Sequence, residues 1–214
     1  TMFNRSGEVP VGGVMTIPPD VKAPPFWSMY VGVPRLEEAS AHVTRLGGKA
    51  HTPVIDVPNV GRMQMMADPQ GAAFYLYEPA SADQTPETAA GSRRPGLPAS
   101  MRTDSPAAMT FYHQVFGWQP SEAIDMGEMG AYQMFNRPHG MIGGMMNKPK
   151  EMANVPPNWQ IYFRVPSVHA AAERVTANGG QILNGPMEVP GGDWVANAMD
   201  PQGAAFGLHS IGAK

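Results

Sequence analysis

Residues 158–165 (NWQIYFRV) alternate strictly, placing Trp159, Ile161, Phe163 and Val165 on one face and Gln160, Tyr162 and Arg164 on the other. A period of two is that of a half-buried strand. Residues 26–33 repeat the pattern, with Ser28, Tyr30 and Gly32 on the second face. After each strand the period lengthens to about 3.6 residues over 34–48 and 166–180, and both stretches open on proline and close on a glycine pair. That spacing predicts a helix in each. Short strands follow, the last one entered through Asp-Pro-Gln-Gly and spanning 72–78 or 204–210. A further helix is predicted where Ala108, Phe111, Tyr112 and Val115 recur at i, i+3, i+4 and i+7, with Ser105 as its N-cap ahead of Pro106. Strands after it run to Met146.

The same elements appear twice because the chain is a tandem duplication. An offset of 132 joins Asp68 to Asp200, Trp27 to Trp159, Tyr30 to Tyr162, Val33 to Val165 and Gly47–Gly48 to Gly179–Gly180, so that 26–78 recurs as 158–210 without a gap. MFNR at 2–5 returns at 134–137, and with a slip of one residue the glycines at 12 and 13 return at 143 and 144. A repeat this long is a duplicated domain, not a solenoid unit. Residue 1 corresponds to position 133, so the counterpart of 100–132 in the leading copy is not among these 214 residues. The reading is a first domain at 1–80 lacking its N-terminal part, a linker at 81–98 rich in Pro, Ala, Gly and charge, and a second domain at 99–214.

Composition narrows the functions. The net charge is -3, the pI is near 6.0, and no basic run exceeds Arg93–Arg94, so a phosphate backbone finds no positive field and nucleic acid is excluded as a partner. No apolar run approaches the roughly eighteen residues of a membrane span, and the start carries no signal-peptide pattern, which makes a cytoplasmic protein without a membrane partner the expectation. The absence of cysteine removes disulfides, thiolate nucleophiles and Cys-based metal sites together. Seventeen methionines suit adaptable apolar surfaces or ordinary core filling.

The helix phrase at 105–118 (SPAAMTFYHQVFGW), the helix exits LGGKA and NGGQI, and the closing DPQGAAF hairpins, in this order and at these distances, resemble the vicinal oxygen chelate superfamily. That superfamily includes glyoxalase I, extradiol dioxygenases and bleomycin resistance proteins. The resemblance implies an α+β fold of tandem βαβββ modules, paired so that curled mixed sheets surround a cavity. It also implies divalent-metal ligands on the first and last strands of each module. A fold carries no chemistry by itself, so those positions are read one by one.

The carboxylate position of the closing strand falls on Tyr75 in one copy and Gly207 in the other, and its counterpart in the preceding module on Gly12 or Gly13 and Gly143 or Gly144. The opening-strand position falls on Ser28 and Gln160. A catalytic divalent centre needs about three N or O donors, and among these only Gln160 is an ordinary one. No metal ligand, cofactor or catalytic residue is therefore assigned; a divalent metal would need donors supplied by the missing strands. Glycine at a ligand position removes a donor and is expected to open room along the cavity wall. The residues expected to face the cavity are Ser28, Tyr30, Tyr75, Tyr77, Gln160, Tyr162, Arg164, Gly207 and His209, with Glu78 pointing the other way. Aromatic faces with a few polar tips suit a small apolar or aromatic molecule. The leading expectation is a small-molecule-binding protein without a complete metal site. The alternatives are a metal-dependent lyase or dioxygenase, and an assembly protein with plugged cavities. Whether the protein is an enzyme, and its oligomeric state, stay open.

Overall fold

The computed structural model describes residues 2–4, 10–17, 23–81, 96–137 and 140–212. It begins with a hairpin, β1 (Met2–Asn4) and β2 (Pro10–Gly13), in which Phe3 faces Gly12. Three copies of one unit follow. The first is β3 (Tyr30–Gly32), α1 (Leu36–Arg45), β4 (Lys49–Ala50), β5 (Ile55–Val57), β6 (Gly61–Ala67) and β7 (Ala73–Pro79). The second is β8 (Gly96–Arg102), α2 (Ser105–Phe116), β9 (Gln119–Asp125), β10 (Ala131–Arg137) and β11 (Gly140–Asn147). The third is β12 (Asn158–Arg164), α3 (Val168–Ala177), β13 (Gln181–Glu188), β14 (Trp194–Met199) and β15 (Ala205–Ser210). In β10 and β11 Phe135 faces Gly143, which repeats the Phe3–Gly12 pairing and shows the one-residue slip in three dimensions.

In every copy the opening strand lies parallel to the closing one, with Tyr30 beside Tyr75, Ala99 beside Gly144 and Tyr162 beside Gly207. The remaining strands continue outward antiparallel from the closing strand. This is the α+β arrangement of βαβββ modules that the sequence implied. A parallel pair needs a crossover, and the helix supplies it.

The closing strand also caps the helix it lies beside. Glu78 Oε2 accepts the Leu36 N–H at 2.7 Å, Asn147 Oδ1 accepts the Ser105 N–H at 2.7 Å, and Ser210 Oγ accepts the Val168 N–H at 3.3 Å. Helix N-termini leave unsatisfied N–H donors, and each module meets part of that need with a different residue type on its closing strand. Glu78 thus points to the helix side of its sheet, as expected. For α2 the N-cap is Asp104, whose carboxylate accepts the Ala107 N–H at 2.9 Å, and not Ser105, which is the first helical residue.

The shared DPQG turn is the same object twice. Asp68 Oδ1 accepts the N–H groups of Gln70 and Ala72 at 2.9 and 3.0 Å, as Asp200 Oδ1 does those of Gln202 and Ala204 at 2.9 and 3.0 Å. The glycines of the turns have φ of +94° and +96°, a left-handed conformation that favours glycine. Its second copy serves only the turn among the described contacts; the first does more.

By compactness the chain divides into Ser28–Ala90 with Leu97–Ile161, and Thr1–Trp27 with Gly91–Gly96 and Tyr162–Lys214. Residues 82–95, most of the segment read as a linker, lie outside the described residues, and β8 already opens at Gly96 within it. The larger unit has one core, in which Leu36, Val43, Phe74 and Leu76 meet Phe111, Tyr112, Trp118, Phe135 and Trp159. Each such side chain contributes about 1.5–3 kcal/mol on burial. Within this core the second oxygen of Asp68 pairs with Arg102 and accepts the Tyr112 hydroxyl at 2.9 Å, while Trp159 Nε1 donates to the same hydroxyl at 2.9 Å. Arg102 and Asp68 are at most 1% exposed, and the guanidinium also lies 4.7 Å from the Trp159 ring centre. The smaller unit has a lighter core of Val168, Ala171, Ala196 and Leu208, with Phe206 and Trp194 packed against it.

Candidate functional site

Strand alternation assigns each sheet a helix side and an opposite side. Ser100 and Arg102 are buried on the helix side of β8, so Ala99 and Met101 face the other way, alongside Gly144. The same rule groups Tyr30, Tyr75 and Tyr77 on one face, and Tyr162, Arg164, Gly207 and His209 on another. These faces carry the positions at which the fold resemblance implies metal ligands.

At three closing-strand positions, 75, 144 and 207, a tyrosine ring stands where a ligand side chain would. A Cβ on Gly207 would sit 2.3 Å from Cδ1 of Tyr162, and one on Gly144 would sit 2.2 Å from Cε1 of Tyr132. Tyr75, the third equivalent, is itself aromatic and stacks on Tyr30 with ring centres 4.7 Å apart and planes within 8°. The expectation that glycine opens room along the wall is corrected at Gly144 and Gly207, where the space is taken by the ring of the neighbouring strand, whereas a Cβ on Gly12 would meet nothing within 4 Å. Among the described residues few donors remain at these positions. Ala99 and Met101 offer none, Ser28 is half-buried just ahead of β3, and Gln160 stands half-buried on β12. Among the described residues no three His, Asp or Glu side chains come together as a metal-binding group.

The two sets of predicted residues form two different surfaces. In the larger unit Tyr30 and Tyr75 stack, Tyr77 meets Tyr30 edge-on at 6.4 Å, and its hydroxyl donates to the Val60 carbonyl at 2.8 Å. Met65 and Met63 lie across from Tyr75 and Tyr77 on β6, and Ile55 across from Met63. Tyr30 is 47% exposed and Ile55 42%, an open aromatic and thioether surface. Desolvation, with the Tyr75 hydroxyl nearby, pushes the Tyr30 hydroxyl up to about 12, and desolvation raises Tyr75 and Tyr77 as well. All three are neutral hydrogen-bonding tips at neutral pH.

In the smaller unit the face is polar. The Tyr162 ring crosses Gly207, and its hydroxyl donates to Asn197 Oδ1 on β14 at 2.7 Å. Burial pushes that hydroxyl up to about 12. Next along the strands, Arg164 lies in register with His209, and His209 Nε2 is 2.8 Å from Asp193 Oδ2. His209 is thus a partnered histidine. Met63, Met65, Asn197 and Asp193 escaped the sequence reading. The methionines alternate in RMQMMA, a strand signal, but Asp193 stands sixteen residues before His209 in a Pro-Gly-Gly turn and nothing in the sequence joins the two.

The model of the Glyoxalase/Bleomycin resistance protein/Dioxygenase superfamily matches residues 98–208. The chain belongs to this superfamily. Superfamily relatives span nearly all of it: CFP32 of Mycobacterium bovis, provisionally named a glyoxylase, is 29% identical over 211 residues, covering 97% of this chain and 78% of that protein. The anthracycline biosynthesis protein DauV of a Streptomyces species is 27% identical over 194 residues, covering 88% and 66%. Solved superfamily structures agree in fold. A 2,2',3-trihydroxybiphenyl 1,2-dioxygenase from Sphingomonas wittichii superposes with a TM-score of 0.57 at 16% identity, over 86% of this chain and 69% of that one. A Mn(II)-bound glyoxalase from Novosphingobium aromaticivorans does so with 0.56 at 17%, over 85% and 61%. No helix among the described residues is long and apolar enough to cross a membrane.

Proposed function

We propose that this superfamily member binds a planar aromatic small molecule on the Tyr30–Tyr75–Tyr77 face, without a catalytic metal. The observation that carries the reading is the stacked Tyr30–Tyr75 pair, which leaves Tyr30 47% exposed beside Met63 and Met65. Offset stacking on an aromatic ring contributes about 0.5–1.5 kcal/mol beyond area burial, and thioethers adapt to the outline of the ligand. The neutral hydroxyl of Tyr75 can donate to a quinone or phenol oxygen, and that of Tyr77, whose proton is on the Val60 carbonyl, can accept from a phenol hydroxyl. The name of DauV supports this class of ligand, since anthracyclines are flat polycyclic aromatics. A metal is not part of the reading because Tyr75, Gly144 and Gly207 supply no carboxylate where the fold would place one.

A neutral hydroxyanthraquinone tests the proposal. At 100 times its dissociation constant it should add about 2.7 kcal/mol of stability to the full chain. Tyr30→Ala and Tyr75→Ala should each weaken binding about tenfold, and EDTA should leave it unchanged. Absence of a thermal shift in the unmodified protein, or affinity abolished by EDTA, refutes the reading.

A further inference from the structure

The polar face of β12, β14 and β15 holds a group of side chains independent of the aromatic surface. His209 Nε2 lies 2.8 Å from Asp193 Oδ2, and the other carboxylate oxygen accepts the Gly212 N–H at 3.1 Å. Partial burial pushes the Asp193 carboxyl up, but the hydrogen bonds from His209 and Gly212, with the charges of His209 and Arg164, outweigh it and leave it lowered. A carboxylate only accepts, so the shared proton is on Nε2 and Nδ1 is the ring nitrogen left for proton transfer. Nδ1 has no protein partner among the described residues. The His209 side chain is 20% exposed and that of Asp193 37%, so the pair is partly desolvated yet reachable. Arg164 stands beside His209 in the parallel register, on the same face, and its charge also reaches the Asp193 carboxylate. A base oriented by a carboxylate, next to an exposed guanidinium, is an arrangement for handling an anion that carries an acidic C–H.

We infer that His209, positioned by Asp193, is the base of a metal-independent proton-transfer site for 2-oxo carboxylates, whose carboxylate Arg164 holds. The C3–H bond breaks, its proton passes to His209 Nδ1, and the electron pair moves to the carbonyl oxygen as an enolate. The imidazolium then returns a proton to C3. Nothing is oxidised or reduced, and no co-reactant is consumed. Arg164 can pair with the substrate carboxylate bidentately, which holds the substrate at the site.

The test is hydrogen–deuterium exchange at C3 of phenylpyruvate in D2O, followed by proton NMR with the 214-residue chain. The unmodified protein should accelerate exchange over buffer about 10²-fold or more, the range of a positioned general base. His209→Gln should return the rate to the buffer value with an unchanged circular dichroism spectrum. Arg164→Met should raise KM and leave kcat within a factor of two or so. Asp193→Asn should lower kcat about tenfold at unchanged KM, with partial rescue by Asp193→Glu, whereas a merely structural role would move the melting temperature and spare kcat. Exchange no faster than buffer in the unmodified protein, or a folded His209→Gln variant that exchanges at the unmodified rate, overturns the proposal.

Discussion

The ring of Tyr162 occupies the volume that any side chain at position 207 would need, since a Cβ there would stand 2.3 Å from Cδ1 of the ring. Glycine is required here for space and not for backbone freedom. Gly207→Ala should therefore destabilise by about 1–3 kcal/mol through overpacking. In a Tyr162→Ala background the same substitution should cost under about 0.5 kcal/mol, and a double-mutant cycle in urea measures the difference. Equal costs in both backgrounds would show that the ring is not what excludes the side chain.

Asp68 and Asp200 hold the same turn, but only Asp68 also pairs with a buried arginine. Removing one partner of a buried ion pair leaves an uncompensated charge and costs about 3–5 kcal/mol. Asp68→Asn should thus lower stability by that amount. Asp200→Asn should cost less than about 1 kcal/mol, because an amide oxygen still accepts the turn's N–H groups. Equilibrium denaturation of the two variants side by side checks this.

The three capping side chains from closing strands differ in charge and length of contact. Glu78 is an anion at 2.7 Å from the Leu36 nitrogen, with Arg62 3.8 Å away, whereas the Ser210 hydroxyl is neutral and at 3.3 Å. An N-terminal cap contributes about 1 kcal/mol and a negative charge there gains from the helix dipole. Glu78→Ala is expected to cost the most, Asn147→Ala less and Ser210→Ala least, as read from denaturant midpoints.

The hydroxyls of Tyr30 and Tyr162, both pushed up to about 12, predict the alkaline behaviour. Their folded pKa lies above the unfolded value, which is about 10, so the fold favours the neutral phenol. That share of stability is complete below about pH 10 and is lost as pH rises through 12. A rapid spectrophotometric titration should find phenolate absorbance at pH 10.5 well short of that of the same chain unfolded. Tyr162→Phe should remove one late-titrating phenol. Complete ionisation of the folded protein by that pH would contradict the desolvation seen for both rings.

Patterning and turn chemistry are local, and local features were legible. The alternation at 158–165 placed β12, the glycine pairs placed the ends of α1 and α3, and the offset of 132 predicted that Asp68 and Asp200 would make one turn twice. The reason lies within a few residues each time: Gly47 and Gly179 adopt φ of +91° and +82°, while a Cβ on Gly48 or Gly180 would strike the helix's own Val43 or Val175. The tyrosines on the ligand faces were legible for the same reason, since strand alternation fixes which side they take.

What those tyrosines do there was not local. The sequence by itself determined the module, its duplication, the family, and the absence of carboxylates at positions 75, 144 and 207. Only the tertiary structure decided that Tyr132 and Tyr162 fill the space beside the two glycines, that Asp193 meets His209, and that one of two identical aspartates carries a buried arginine. Each of these depends on which strand lies beside which and in what register. Hydrophobic pattern fixes the face a side chain takes but not its neighbour across the sheet, so residues far apart in the chain become partners only when the strands pair.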